Sequence, residues 1–162
     1  MKLYIMGIKN FQGKQVGEVN IQAEKITVRD CMSKNMILFN KAQSVIEVVE
    51  ILIKFRISGG PVVDDQKRVI GIISEGDCIK QISESRYYNM PMEDVSVEKY
   101  MSKDVNTISP DVNLFDAAHL FLKFKIRRFP VVENGIIIGI VSQKDILRTA
   151  LMLKGFSWKH NK

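Results

Sequence analysis

One stretch of this chain occurs twice, and that recurrence limits the fold more than any other feature. Pro61 to Asp77 reads PVVDDQKRVIGIISEGD, and Pro130 to Asp145 reads PVVENGIIIGIVSQKD. Both copies open on Pro-Val-Val and an acid, pass through a turn, and enter an apolar run with a central Gly. Both close on Ser-x-x-Asp, as Ser74 and Asp77 and again as Ser142 and Asp145. Self-similarity of this kind signals repeated supersecondary units that bury their apolar faces against each other.

The match runs upstream at a constant offset of 69, the difference between Met101 and Met32. Val28 falls on Val97, Met32-Ser33-Lys34 on Met101-Ser102-Lys103, Lys54-Phe55 on Lys123-Phe124, and Ile57 on Ile126. Beyond the prolines the offset is 68, Gly139 against Gly71, so the second copy lacks one residue where a hairpin tip tolerates the loss. The chain divides into an N-terminal extension (1–25), a first repeat (26–85), a linker (86–96), a second repeat (97–153) and a basic tail (154–162). A repeat of roughly 55 residues is marginal for a core of its own, so two packed together are expected.

Each repeat predicts strand, helix, strand, strand, helix, an α+β unit. TVRDCMS opens the first, with Thr27 placed to cap a short helix and Asp30 at its third position. Met36 to Phe39 is an apolar run predicted as a strand. Ser44 then starts an amphipathic helix with Val45, Val48, Val49, Leu52 and Phe55 on one face, which Ile46 and Ile51 widen. Gly59-Gly60-Pro61 is expected to stop it. Val62-Val63 and Val69 to Ile73 flank the polar tip Asp64 to Arg68, a hairpin pattern. A helix is expected from Glu75 to about Ser85. In the second repeat Val105 to Ile108 is the strand, and Asn113 to Ile126 the helix, with Leu114, Ala117, Ala118, Phe121 and Phe124 inward. Val131-Val132 and Ile136 to Val141 form the hairpin, and a closing helix runs from Gln143 towards Leu153.

With 46% hydrophobic and 26% charged residues the composition is that of an ordinary globular protein. The only cysteines, Cys31 and Cys78, hold no equivalent positions in the two repeats and form no ligand spacing, which favours two thiols over a disulfide. The N-terminal MKLYIMGIKNFQGK has no apolar stretch of signal-peptide length, and no run reaches the ~20 residues that span a bilayer. A cytoplasmic protein is expected. The formal charge of +6 reads first as solvated lysines plus a basic tail, and second as a surface for phosphates of a nucleotide or a nucleic acid.

Ser-x-x-Asp is the only polar motif the copies share. Ser at an N-cap with an acid three residues on is a capping pattern, which stabilises a helix start by about 1 kcal/mol. The same geometry attracts phosphate to the N–H groups at the helix terminus, and a carboxylate one turn in can accept two ribose hydroxyls. Arg127 and Arg128 stand where the first repeat has Ser58 and Gly59. They suit the C-terminal end of a helix dipole, and they equally suit a polyphosphate. If two pockets exist, they are unlike. His119 and His160 have no Cys or paired acid beside them to make a metal site, and no nucleophile elbow or phosphate-binding glycine loop with its Lys occurs. Tyr87, Tyr88 and Trp158 could stack on bases, although linker and tail aromatics more often pack locally.

These residues resemble the CBS domain, and the tandem arrangement resembles a Bateman module. ISGGPVVD and IRRFPVVE at the helix ends, then IGIIS–EGD and IGIVS–QKD, carry the resemblance from about Val28 to Leu147. It implies two units packed pseudo-symmetrically through their sheets, with two clefts that take AMP, ADP, ATP, S-adenosylmethionine or NAD. It implies Asp77 and Asp145 as ribose binders and Ser74 and Ser142 on phosphate. Positions near Leu38 and Ile108 would sandwich adenine, with Thr107 at the rim. Asp77 would work with Arg127 and Arg128, and Asp145 with Ser58, Gly59 and Gly60. The Asp77 cleft would then take the more highly charged phosphate chain.

The resulting expectation is a stand-alone, non-enzymatic adenine-nucleotide sensor that reports energy state, forms a homodimer and signals to an unidentified protein partner. No cofactor is obligatory and no membrane is involved. Two rivals stay open. A nucleic-acid-binding protein would lose affinity steeply with salt and survive loss of Asp77 and Asp145. A structural dimerisation module would ignore every nucleotide.

Overall fold

The computed structural model describes residues 26–88 and 95–155. The extension 1–25, most of the linker, and the tail with Trp158 and His160 lie outside the described residues. The element order is α1 (Val28–Cys31), β1 (Phe39–Asn40), α2 (Val45–Phe55), β2 (Gly59–Val63), β3 (Val69–Ser74) and α3 (Glu75–Tyr88). It repeats as α4 (Val97–Tyr100), α5 (Leu114–Phe124), β4 (Arg128–Glu133), β5 (Ile136–Ser142) and α6 (Gln143–Gly155). The fold is α+β, built twice.

Local chemistry sets the helix bounds. The Ser44 hydroxyl accepts from Glu47 N at 3.2 Å to start α2, and Asn113 Oδ1 accepts from Phe115 N and Asp116 N at 2.8 and 3.1 Å to start α5. Thr27 N and Oγ1 both donate to Asp30 Oδ2 ahead of α1, as its spacing predicts. The expected stop at Gly59-Gly60-Pro61 is displaced. Arg56 and Lys125 take left-handed backbone at φ 52 and 54, and Ile57 N donates to Leu52 O at 3.1 Å, which closes α2 three residues earlier. Gly59 to Pro61 instead begin a strand. α3 also outlasts its predicted end, to Tyr88.

Val45, Val48 and Leu52 are buried, as are Leu114, Ala117 and Phe121. The terminal aromatics are not: Phe55 is 53% exposed and Phe124 39%, although Phe124 keeps an edge contact with Phe129 at 6.1 Å. The hairpins form as patterned. β2 and β3 pair antiparallel from Gly59↔Ser74 to Val63↔Val69, and β4 and β5 from Arg128↔Ser142 to Glu133↔Ile136. The shorter second tip uses Asn134 and Gly135 at φ 50 and 81, the primed-turn geometry that matches strand twist. The strands predicted before each long helix shrink. β1 is two residues pairing parallel with β2, and in the second unit only Ile108 bridges, to Val131. Most of Met36 to Phe39 and Val105 to Ile108 crosses the sheet edge without a ladder.

The two cores exchange their lead segments. Val28 is buried with Ile108, Leu114, Phe121, Phe129 and Val141 in the core of the second unit. Val97 and Met101 are buried with Phe39, Val45, Leu52 and Ile73 in the core of the first. Backbone bonds lock each exchange. Val28 N donates to Val112 O at 2.8 Å and Ser33 pairs reciprocally with Ile140; Val97 N donates to Gln43 O at 2.9 Å and Ser102 pairs reciprocally with Ile72. A glycine makes room on each side: a Cβ on Gly71 would lie 2.5 Å from Met101 Sδ, and one on Gly139 2.7 Å from Met32 Sδ. The exposed Arg29 pairs with Asp111 and Glu133 add little energy but fix the orientation of α1. Cys31 and Cys78 are free thiols, and burial pushes the pKa of both up.

Candidate functional site

The interleaving brings the two hairpin bases together. Arg128 opens β4 opposite Ser142, as Gly59 opens β2 opposite Ser74, and these two openings touch. Arg128 Nη1 donates to Gly59 O at 3.5 Å. A cleft lies on either side of that contact.

The first, about 300 Å³, is lined by Ser58, Gly59, Gly60, Ser74, Asp104, Asn106, Arg127 and Arg128 over an apolar floor of Ile72, Ile126 and Ile140. The second, about 570 Å³, is lined by Asn35, Met36, Ile37, Phe55, Ile57, Gly59, Arg128, Ser142 and Asp145. Both volumes suit a ligand of nucleotide size. The repeat makes the differences readable position by position. Asn106 and Asp104 of the first cleft stand where the second has Ile37 and Asn35, and Arg127 stands opposite Ser58. The first cleft carries two guanidiniums and the second carries one.

Both Ser-x-x-Asp motifs form capping boxes. Ser74 N and Oγ donate to Asp77 Oδ2 at 2.8 and 2.6 Å, and Ser142 N and Oγ donate to Asp145 Oδ2 at 2.9 and 2.5 Å. Capping and ligand binding do not compete for the whole group, because each carboxylate has a second oxygen. Arg148 Nη1 donates to Asp145 Oδ1 at 3.1 Å, whereas Asp77 Oδ1 accepts from none of the described residues. The serine hydroxyls and the first N–H groups of α3 and α6 stand at the positive ends of 14- and 13-residue helices.

Several predicted site residues fall elsewhere. The expected grouping of Ser58, Gly59 and Gly60 with Asp145 is mostly reversed: Ser58 and Gly60 line the Ser74 cleft, and only Gly59 reaches both. Arg127 and Arg128 do line the cleft of Ser74, but Arg128 also lines that of Asp145, so that cleft is not without arginine. Asp77 itself is turned onto Ser74 and does not line the cleft beside it. Ile108 is 4% exposed inside the second core. Leu38 and Thr107 line neither cleft. The reason is the two-residue alternation of extended chain: Ile37 and Asn106 share the inward parity of Phe39 and Ile108, while Leu38 and Thr107 point the other way. Ile37 and Asn106 were thus missed by one residue of register, while Asn35 and Asp104 lie ahead of the segments predicted as strands.

Comparison with known proteins follows the same division of the chain. The family model for the CBS domain matches residues 28–84 and 97–151. A curated relative, the uncharacterized protein MJ1225 of Methanocaldococcus jannaschii, is 28% identical over 134 residues, 83% of this chain; the chain spans 45% of its length. The crystal structure of the Arabidopsis thaliana protein CBSX2 in complex with AMP superposes with a TM-score of 0.70 at 31% identity, covering 79% of this chain and 98% of that one. The CBS domain pair of protein MJ0100, solved with 5'-methylthioadenosine and S-adenosyl-L-methionine, gives a TM-score of 0.65 at 29% identity and covers 77% of this chain and 99% of that one.

Proposed function

The chain belongs to the CBS domain family, with two copies in tandem, and from that premise we propose that it is a regulatory pair that binds adenosine-containing nucleotides in its two clefts. The observation that carries this is the Ser74 cleft, where the N-terminus of α3, the Ser74 hydroxyl and the guanidiniums of Arg127 and Arg128 converge over an apolar floor. Charge-assisted donors on one side and apolar surface on the other suit a phosphate chain and a base. Relatives solved with AMP and with S-adenosyl-L-methionine point to the same ligand class. In this reading the Ser74 cleft takes the more highly phosphorylated ligand. The Asp145 cleft takes one with less phosphate, held by Ile37, Phe55 and Ile57. Asp145 accepts ribose hydroxyls from within its cleft, and Asp77, one turn into α3 behind Ser74, does so by turning its outer oxygen toward the Ser74 cleft. The protein is not an enzyme; it acts in the cytoplasm and passes ligand state to a partner protein through any difference in affinity between its conformations.

A thermal-shift panel of AMP, ADP, ATP, S-adenosylmethionine and NADH tests this. At a ligand concentration a hundredfold above Kd, binding adds about 2.7 kcal/mol, a rise of roughly 5–10 °C for a chain of this size. The expected result is a rise with at least one ligand that Asp77→Ala or Asp145→Ala abolishes. Cooperative melting with no shift for any of the five overturns the reading.

The same reading includes a homodimer. Equivalent helix faces in both units leave large apolar side chains in water: Ile53 (73% exposed) and Ile79 (64%) in the first, Leu122 (74%), Leu147 (69%) and Leu151 (70%) in the second. Apolar patches of this kind mark association surfaces. Sedimentation is expected to give a dimer for the wild type and a monomer for Leu147→Glu/Leu151→Glu. A monomeric wild type at micromolar concentration would refute it.

No described helix is long and apolar enough to cross a membrane.

A further inference from the structure

Among the described residues Arg128 is the only charged side chain that lines both clefts, and its counterpart in the other repeat, Gly59, has no side chain at all. The pseudo-symmetry that makes two clefts therefore supplies one guanidinium to the wall between them. It rests on Gly59 O at a long 3.5 Å, an exposed contact that a phosphate would readily displace. Arg127 is placed differently: it lines the Ser74 cleft alone.

We propose that Arg128 is a shared phosphate ligand that couples the two clefts, so that a nucleotide phosphate bound in one cleft takes this guanidinium away from the other. This inference deepens the nucleotide reading given above and rests on it. The physical basis is simple. A guanidinium has five donors in one plane and can present its paired N–H edge to one phosphate at a time. The first phosphate to arrive neutralises the charge as well as occupying the donors. The second nucleotide then meets a cleft without its arginine and with an anion on the far side of a shared wall. Among the described residues that line the Asp145 cleft no other cation replaces Arg128; in the Ser74 cleft Arg127 remains. The coupling is reciprocal, since each ligand must weaken the other by the same factor. The protein would respond to nucleotide over a wider concentration range than two independent sites allow, with the Asp145 cleft filling last.

ADP titrations by calorimetry test the idea. Asp77→Ala and Asp145→Ala each confine binding to one cleft under the reading above, and so give the affinity of each cleft when its neighbour is empty. In the wild type the second ADP is expected to bind at least about fivefold more weakly than the corresponding single-cleft protein binds its only one. Adding Arg128→Gln to either single-cleft protein is expected to weaken ADP about tenfold in both, because each cleft uses the arginine when alone. Arg128→Gln in the otherwise native chain should remove the deficit, so that its two steps equal the sum of its single-cleft isotherms. Arg127→Ala should weaken only the Ser74 cleft. Adenosine, which has no phosphate, should show no coupling in any variant.

Three outcomes overturn the proposal while leaving nucleotide binding intact. One is a wild-type isotherm that is the plain sum of the single-cleft isotherms. Another is an Arg128→Gln effect confined to one cleft. The third is a deficit that persists without Arg128. Failure of the wild type to bind any ADP, adenosine or AMP would instead remove the nucleotide reading, and this one with it. Arg128 is exposed, so the variant is expected to melt as the wild type does, and Arg128→Gly, which copies the Gly59 position, provides a second removal of the same donors.

Discussion

Separated, the halves 26–88 and 95–155 are expected to show no cooperative unfolding, and mixed in equal amounts they are expected to regain it. Each half carries a full sequence repeat, yet each lacks part of its core. The first loses Val97 and Met101, which are 0% and 8% exposed in the intact chain; the second loses Val28, 0% exposed. Burying one such side chain stabilises by about 1.5–3 kcal/mol. The backbone partners of Gln43 O, Ile72 and Ser102 depart too, as do those of Val112 O, Ser33 and Ile140. Against a typical total of roughly 5–15 kcal/mol for a whole domain, and the marginal burial available to about 60 residues, that deficit is enough to unfold either half. Near-ultraviolet circular dichroism and urea titration of each half and of the mixture read the result directly. A sharp urea transition in either half alone would show that the exchanged segments are accessory. A milder form of the same test is Val97→Ala, which lies in the second repeat but should destabilise by about 2 kcal/mol through the core of the first.

That exchange marks the limit of what the residues announce. The period of the repeat, the polar tips and the helix starts at Ser44 and Asn113 are local signals, and each is found where its spacing puts it. The apolar residues of a lead segment carry no such address: Val28 and Val97 say that they are buried, not in which unit. Strands fail for a related reason. Met36 to Phe39 is apolar because its side chains face a core and a cleft, while its backbone forms only a two-residue ladder, so hydrophobicity overstated the strand. Phe55 and Phe124 extend the helical stripe by one turn past the point where the unit covers it. In the clefts, Ser74, Ser142 and the arginine pair were legible because the repeat displays them in register. Asn106 and Ile37 were not, since a shift of one residue turns every side chain of an extended segment to the other face. The double role of Arg128 needed the two units placed together.

Gly59→Ala is expected to destabilise the protein by about 3 kcal/mol, whereas Arg128→Gly at the equivalent position of the other repeat should change stability by less than about 1 kcal/mol. Gly59 sits at φ 152, in a region that side chains rarely adopt, and a Cβ there would lie 2.6 Å from Ile73 O and 2.9 Å from Ser74 Cα. Both obstacles are backbone atoms of the paired strand, so relief requires moving β3 away from β2 at the base of the hairpin. Backbone strain of this class costs about 1–3 kcal/mol and overpacking a similar amount. Arg128 has no positive φ and is exposed, so its strand accepts a side chain at the same register. This backbone difference explains why the asymmetry between the clefts has a direction. A side chain can stand on the β4 side of the shared wall and not on the β2 side, and the single guanidinium between the clefts therefore comes from the second repeat. Thermal melts of the two variants decide the matter, with a fall of roughly 6–12 °C expected for Gly59→Ala and a few degrees at most for Arg128→Gly. Equal, small shifts would mean that the first repeat could also have carried an arginine here, and that geometry does not fix which unit supplies it.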